Sequence, residues 1–345
     1  MTDLAVKLKN ERILTDDELR VLLSGEYDGR LMEEADKVRK SVFGDKVYIR
    51  GLIEISSICK NDCYYCGIRA SNNNAVRYRL TEEDIISCCE LGRELGFSTF
   101  VLQGGEDGYF TDERLCDIIK GIKRTVPGCA VTLSLGERSA ESYKLLKEAG
   151  ADRYLLRHEA ADEDLYKRLH PEGMKLQNRK KCLFELKAAG FQVGSGFMVG
   201  APYQTVDNII SDIRFLTELE PAMIGIGPFV PHCDTCFKDS KHGSVAMTLR
   251  LISILRLIFP NALIPATTAL GTVEEGGREK GIMCGANVVM PNLSPESARK
   301  SYNLYNNKLA TGAESVEGLK ELERKIKGAG YSMSMERGDA PGFEI

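Results

Sequence analysis

Val47-Tyr-Ile-Arg-Gly-Leu-Ile-Glu-Ile-Ser56, followed two residues later by Cys59-Lys-Asn-Asp-Cys63-Tyr-Tyr65-Cys66, is the stretch on which the reading of this chain turns. The first part is apolar and strand-like; the second places three thiols within eight residues. Thiolates are soft ligands that suit iron–sulfur clusters and zinc. Zinc sites and ordinary clusters take four protein ligands, and this loop supplies three. With three and then two residues between its thiols, one loop reaches three corners of a [4Fe-4S] cube and leaves the fourth iron open, as catalytic metal sites require. Cys59, Cys63 and Cys66 are therefore the candidate metal ligands and the candidate catalytic centre.

The totals bound the rest. The chain has 345 residues, 43% hydrophobic and 28% charged, with a formal net charge of −4. That is an ordinary globular composition with material for a large core. The mild acidity argues against nucleic acid or a membrane surface as the main partner. Eleven cysteines without a secretory leader read as reduced thiols in the cytoplasm. No apolar run reaches the ~18 residues that would suggest a membrane span.

Residues 1–43 read as helices, with Thr15-Asp-Asp-Glu18 as a capping box. From Lys46 onward strand and helix signals alternate. Strands are expected at 46–56, 98–103, 130–134, 153–157, 192–198, 223–226, 263–266 and 287–290. The helices between them open at Thr81, Asp112, Ala140, near Asn178, Thr205, Ser244 and Glu274. Eight short strands, each followed by a helical period, predict a closed (β/α)8 TIM barrel of the α/β class. A doubly wound open sheet is the alternative. Polar residues at the strand ends favour the barrel, because they form a ring around one mouth. The expected division is an N-terminal helical cap (1–43), the barrel (44–310) and a C-terminal helical extension (311–345). In the last of these, 315–328 reads as an amphipathic helix, and a further helix begins near Ser294.

Several strand ends carry candidate chemistry. Gln103-Gly104-Gly105-Glu106 ends the second strand, where paired glycines let a ligand approach the backbone. Thr132 and Ser134 share one face of the third, and their hydroxyls can meet a carboxylate or ribose or simply a neighbouring carbonyl. Arg157 and Glu159 share a face of the fourth, with His158 pointing away. The guanidinium either awaits an anion or pairs with Glu159. Arg179 is a carboxylate ligand or a solvated charge. Met223, Thr267, Thr268, Tyr302 and Tyr305 are candidates for a pocket wall, although the two tyrosines, three apart, equally suit packing on a helix face. His232-Cys233-Asp-Thr-Cys236, with His242, has the elements of a second metal site. It lacks a second Cys-x2-Cys pair and helical ligand spacing, so loop thiols are the favoured reading. Cys88, Cys89, Cys116, Cys129, Cys182 and Cys284 read as small core residues.

The Cys59-x3-Cys63-x2-Cys66 loop, with aromatic Tyr65 before its last cysteine, resembles the signature loop of radical SAM enzymes. That resemblance implies one [4Fe-4S] cluster held by three cysteines. S-adenosylmethionine on the open iron is cleaved reductively to a 5′-deoxyadenosyl radical, with a low-potential electron donor. It also gives Gly104, Gly105 and Glu106 a place beside the methionine amine. From about Lys40 to Pro295 the phrasing is similar to the branch containing biotin synthase, methylornithine synthase and the [FeFe]-hydrogenase maturase HydE. The likeness to HydE is strong through Val101–Asp107, Val131–Glu137, Asp152–Glu159, Met198–Gly200, Ile224–His232, Ile264–Thr272 and Gly285–Asn292. The likeness to HydE implies a small cysteine-derived substrate bound to iron carbonyl and cyanide, and other hydrogenase maturases as partners. It puts Tyr65, Ser134, Glu159 and Arg179 on SAM. Gln103, Thr132, Arg157, Met223, Thr267, Thr268, Tyr302 and Tyr305 would then line a cavity for a small carboxylate. Two departures stand out. Residues 306–345 contain no cysteine, where many relatives carry a second trio, and Gly104 stands where HydE relatives often have serine. The competing functions are a radical SAM mutase or biotin-synthase-like enzyme acting on a free amino acid, and a non-catalytic iron–sulfur assembly protein.

Overall fold

The structure, a computed structural model, describes residues 3–343. α1 (Leu4–Glu11) opens under Asp3, whose carboxylate accepts from the amides of Ala5 and Val6. α2 (Asp16–Ser24) opens on the capping box of Thr15 and Glu18, and α3 (Asp28–Phe43) completes the helical start of the chain. Then come β1 (Lys46–Ile49), β2 (Gly51–Ser56), α4 (Glu82–Glu94), β3 (Thr99–Gly104), α5 (Asp112–Thr125), β4 (Ala130–Ser134) and α6 (Ala140–Glu148). They are followed by β5 (Arg153–Leu155), α7 (Glu163–Leu169), α8 (Leu176–Ala188), β6 (Gln192–Ser195), β7 (Met198–Val199) and α9 (Val206–Leu219). The rest comprises β8 (Met223–Ile224), β9 (Gly227–Pro228), α10 (Val245–Ile258), α11 (Thr268–Val273), α12 (Gly277–Met283), β10 (Val288–Val289), α13 (Glu296–Ser301), α14 (Leu319–Gly328) and β11 (Ser332–Ser334). Ser or Thr side chains cap α4, α5, α6, α9 and α10, which is why those helices begin where the sequence signals them.

Six strands form one parallel sheet in the order β2-β3-β4-β5-β6-β8. Side chains alternate across it. Ile53, Phe100, Val131, Tyr154, Val193 and Ile224 face the helices and join Ile119, Leu146, Leu183 and Leu216 in the main core. The opposite face is polar, and register fixes its rows: Glu54 pairs with Gln103 and Gln103 with Ser134. The sheet curls strongly. Arg50, next to one edge strand, reaches Met223 on the other, Nη1 to Sδ 3.3 Å. Parallel bridges continue beyond that edge, from Met223 to Leu263, from Pro265 to Val288, and from Asn292 back to Leu52.

Several expected strands are shorter than their apolar runs. The 46–56 run breaks at Arg50, because β1 pairs with β10 and β11 whereas β2 pairs with β3. The 192–198 run breaks around Gly196, at φ 153°, where a Cβ would lie 2.0 Å from the Gly225 carbonyl oxygen. Residues 153–157 are strand only to Leu155, and 263–266 make bridges alone. Glu274 caps the end of α11 and opens no helix. The amphipathic helix near the end starts at Leu319 after two 3-10 turns. α7 and β11 were not expected. Cys116 is half-buried on α5 and not a core residue, while the other five thiols assigned to the core are buried.

The segment after α14 does more than extend the chain. β11 lies parallel to β1, with Lys46 opposite Ser332 and Tyr48 opposite Ser334. Residues 337–340 then cross the end of the sheet where the strands begin. The Arg337 carbonyl accepts from Thr99 Oγ1 at 2.8 Å and from Arg153 Nη2 at 2.9 Å. Asp339 accepts from Arg153 and from Gln192, both at 2.7 Å. Arg153 is fully buried, so this carboxylate is its counter-ion. Among the described residues no helix is long and apolar enough to cross a membrane.

Candidate functional site

Two residues separate β2 from Cys59, which puts the thiols at the end of the sheet where the strands finish. The loop is fastened on all sides. Lys60 N donates to the Glu106 carbonyl at 3.0 Å, Tyr64 N to Leu169 at 3.0 Å, and Gly67 N to Leu304 at 2.9 Å. Glu106 N donates to Cys59 Sγ at 3.3 Å, and Cys63 Sγ lies 3.7 Å from Met174 Sδ. Burial pushes all three thiols up, Cys66 to about 12 and Cys63 well above its ordinary value. They become thiolates when a bound cation supplies the compensating charge. The three sulfurs do not gather within the 4.8 Å that a single ion's ligands would span. Together with the soft donor set and the amide aimed at Cys59, this fits a cluster better than one zinc ion.

Gly105 makes the fit possible. A Cβ there would lie 2.2 Å from the Ile58 carbonyl oxygen and 2.7 Å from Cys59 Cβ. At Gly104 the nearest atom, Ile55 Cγ1, would be 3.3 Å away, tight by a few tenths of an ångström against a side chain, and the next two 3.4–3.5 Å away. The Glu106 side chain turns from the thiols toward Lys60, at 3.2 Å, and accepts from Glu137 N at 3.0 Å. Tyr65 is half-buried and reaches His170 Nε2 at 3.2 Å. His170 Nδ1 sits 2.9 Å from the Tyr166 carbonyl, which can only accept. Nδ1 therefore carries the proton and Nε2 accepts from the tyrosine. Burial drives His170 down to about 3, so it stays neutral.

The polar face of the sheet brings most of the other candidates together. Thr132 Oγ1, Arg157 Nε, Glu159 Oε2 and Thr267 Oγ1 are all buried without a hydrogen-bond partner. Unsatisfied buried polar atoms are costly, and four on one inner surface suit a polar ligand. Arg157 and Glu159 lie 3.1 Å apart as an ion pair without a hydrogen bond, so the internal pairing the sequence allowed does form. Glu159 has φ 65°, a left-handed conformation worth roughly 1–3 kcal/mol of strain in a non-glycine residue. Its neighbour His158 does point away, fully buried between Ser195 (2.9 Å) and Asp212 (3.1 Å). Those bonds anchor the strand end that carries Arg157 and Glu159.

Other candidates are placed less directly. Arg179 is buried and not a solvated charge; it holds Glu137 at 2.5 Å and the Arg157 carbonyl at 2.9 Å. Thr268 Oγ1 donates to Glu314 at 2.8 Å. α13 ends at Ser301, so Tyr302 and Tyr305 do not share a helix face. Tyr302 is buried against Gln103 and Glu54, while Tyr305 is half-buried and pushed up to about 12 by burial. Met223 packs beside Gly194 and Arg50.

Sequence reasoning missed three residues of this surface. Glu54 is fully buried and pairs with Lys308 Nζ, which also donates to the Tyr302 carbonyl at 3.0 Å. Burial pushes the Glu54 carboxyl up despite Lys308. Arg50 is buried, with Nε lacking a partner. The alternation Arg50, Leu52, Glu54, Ser56 marks Arg50 and Glu54 as facing the site, a signal available in the strand itself.

Comparison with known proteins agrees with this chemistry. Residues 53–216 match the Radical SAM superfamily. The chain is 46% identical over 283 residues to the [FeFe] hydrogenase maturase subunit HydE of Thermotoga maritima, covering 82% of this chain and 80% of that protein. It is 30% identical over 322 residues to the 3-methylornithine synthase of Methanosarcina acetivorans, covering 92% and 89%. The crystal structure of methylornithine synthase (PylB) superposes with a TM-score of 0.84 at 29% identity, across 97% of this chain and 98% of that one.

Proposed function

The chain belongs to the radical SAM superfamily and is a radical SAM enzyme, and on that premise we propose that it works as a HydE-like hydrogenase maturase. The observation that carries the reading is the 46% identity to HydE across most of both chains. We read the bridges at Leu263, Pro265 and Asn292 as completing a closed eight-stranded barrel. Its substrate is a small cysteine-derived carboxylate, its partners are other maturases and a low-potential electron donor, and its setting is the cytoplasm.

Cys59, Cys63 and Cys66 would hold a [4Fe-4S] cluster, with SAM beside Tyr65, Gly104, Gly105, Glu106, Ser134, Glu159 and Arg179. When bound and reduced, that pair of cofactors supplies a 5′-deoxyadenosyl radical. The residues of this chain bind, orient and shield. Glu159 offers a carboxylate to an ammonium group, and Ser134, one row above Thr132, offers a hydroxyl. Arg157 and Thr132 hold the substrate carboxylate, with Gln103, Met223, Thr267, Thr268, Tyr302 and Tyr305 as the cavity wall. Tyr302 and the Lys308–Glu54 pair keep the segment after α13 against the sheet and so exclude water.

The test is anaerobic reconstitution with iron and sulfide, followed by reduction in the presence of SAM. We expect one cluster per chain, lost on Cys63→Ala, and release of 5′-deoxyadenosine. In a hydrogenase activation assay with the other maturases, this chain should replace HydE. The fold match to PylB supports a second reading, a mutase acting on a free amino acid. A rearranged amino acid among the products, with no hydrogenase activation, would establish it instead.

A further inference from the structure

We propose that His232, Cys233 and Asp234 form a separate site for a thiophilic divalent cation of the zinc class, on the turn that packs against the Cys59–Cys66 loop. One ligand atom from each residue lies within 4.8 Å of the other two. His232 Nδ1 is 3.9 Å from Cys233 Sγ and 4.0 Å from Asp234 Oδ2. Ligands at ordinary zinc bond lengths in a tetrahedron stand roughly 3.3–3.8 Å apart. The three atoms need only small shifts to close on an ion.

The donor set is one imidazole, one thiol and one carboxylate, a combination suited to zinc and unsuited to calcium or magnesium. The imidazole is already in the correct tautomer. Asp234 N donates to His232 Nδ1 at 3.1 Å, so that nitrogen carries the ring's lone pair, which a bound cation would take over from the amide. The carboxylate is oriented from behind: Asn74 Nδ2 donates to Asp234 Oδ1 at 3.0 Å and Asn72 Nδ2 to Oδ2 at 3.3 Å. Such outer partners commonly fix metal-bound carboxylates. Cys233 is exposed and free to rotate toward the ion, and Cys236, also exposed, offers a further thiol from the same turn. His242 takes no part, since its Nδ1 lies 3.0 Å from the Gly243 carbonyl.

The site is joined to the proposed cluster loop. Asn72 also donates to the Gly67 carbonyl at 2.7 Å, and the His232 ring lies so close to Gly67 that a Cβ there would come within 2.4 Å of it. Gly67 follows Cys66, so an ion at His232 braces the cluster loop from outside.

Zinc titration of the cluster-loaded protein, in competition with a chromogenic chelator, tests this without substrate or turnover. Its outcome is therefore separate from that of the proposed maturase activity. We expect one zinc per chain beyond the cluster, a higher melting temperature with zinc, and at least tenfold weaker binding in Cys233→Ser and in Asp234→Asn. Cys116→Ser should bind as the parent does, and far-UV dichroism and iron content should be unchanged in every variant. The zinc K-edge spectrum should show one sulfur neighbour, or two if Cys236 joins. Absence of extra zinc, a coordination shell without sulfur, or full binding by Cys233→Ser would overturn the proposal.

Discussion

Gly104 and Gly105 are adjacent and look alike in sequence, yet the structure separates them. A methyl group at residue 105 would drive into the Ile58 carbonyl and Cys59, whereas at 104 it asks only the Ile55 side chain, 3.3 Å away, to give by a few tenths of an ångström. We expect Gly105→Ala to displace the cysteine loop, to cost about 1–3 kcal/mol, and to lose most of the iron taken up on reconstitution. Gly104→Ser should load iron normally. Equal loading by both variants would contradict the packing described here. Thr132 offers a different separation. Its hydroxyl is buried without a partner, so Thr132→Val removes an unsatisfied group at nearly constant volume. The melting temperature should hold or rise while turnover falls. A variant that melted lower and turned over normally would mean that the hydroxyl serves the fold and not the ligand.

Among the elements, the cysteine loop was the most legible, because its ligands are contiguous and follow a strand. The hydroxyls of β4 and the pair Arg157–Glu159 were legible through two-residue alternation alone. What escaped was long-range partnership. Nothing near Glu54 in sequence announces Lys308, nothing in the strand 46–56 announces that its halves have different neighbours, and nothing in Asp234 announces two asparagines behind it. The C-terminal strand was missed for the same reason, since Ser332-Met-Ser334 is too short to carry a pattern. Its consequence is measurable. Burial would raise the Asp339 carboxyl, but Arg153, Gln192 and Arg337 hold it below the ordinary range. A depressed carboxylate stabilises the fold above its unfolded value, about 3.9, and that contribution is lost as pH falls through the folded value. Thermal melts should therefore weaken below about pH 4, and Asp339→Asn should flatten that acid slope. The variant should also lose roughly 3 kcal/mol near neutrality, since Arg153 is left without its counter-ion.

At the scale of the molecule, the three helices at the start of the chain are part of the core. α10 buries Leu251, Ile252, Ile254 and Leu255, and α3 supplies Leu31 and Ala35 to the same cluster. Arg250 pairs with Asp28 at 2.5 Å and reaches the Leu23 carbonyl at 2.7 Å, and buried Arg39 bonds the carbonyls of Ala286, Gly44 and Lys46. We expect deletion of residues 1–43 to expose the apolar face of α10 and give an aggregating product. A monodisperse, cooperatively melting product from that deletion would show that the helices are an accessory.

The pairing of β1 with β11 bears on how the chain is made. Lys46 leaves the ribosome long before its register partner Ser332. Until that partner arrives, the guanidinium of Arg153 has no carboxylate, and one flank of β1 lies bare. A nascent chain in that condition is a candidate client for holdase chaperones, and newly synthesised protein should become protease-resistant only after residues 332–340 have emerged.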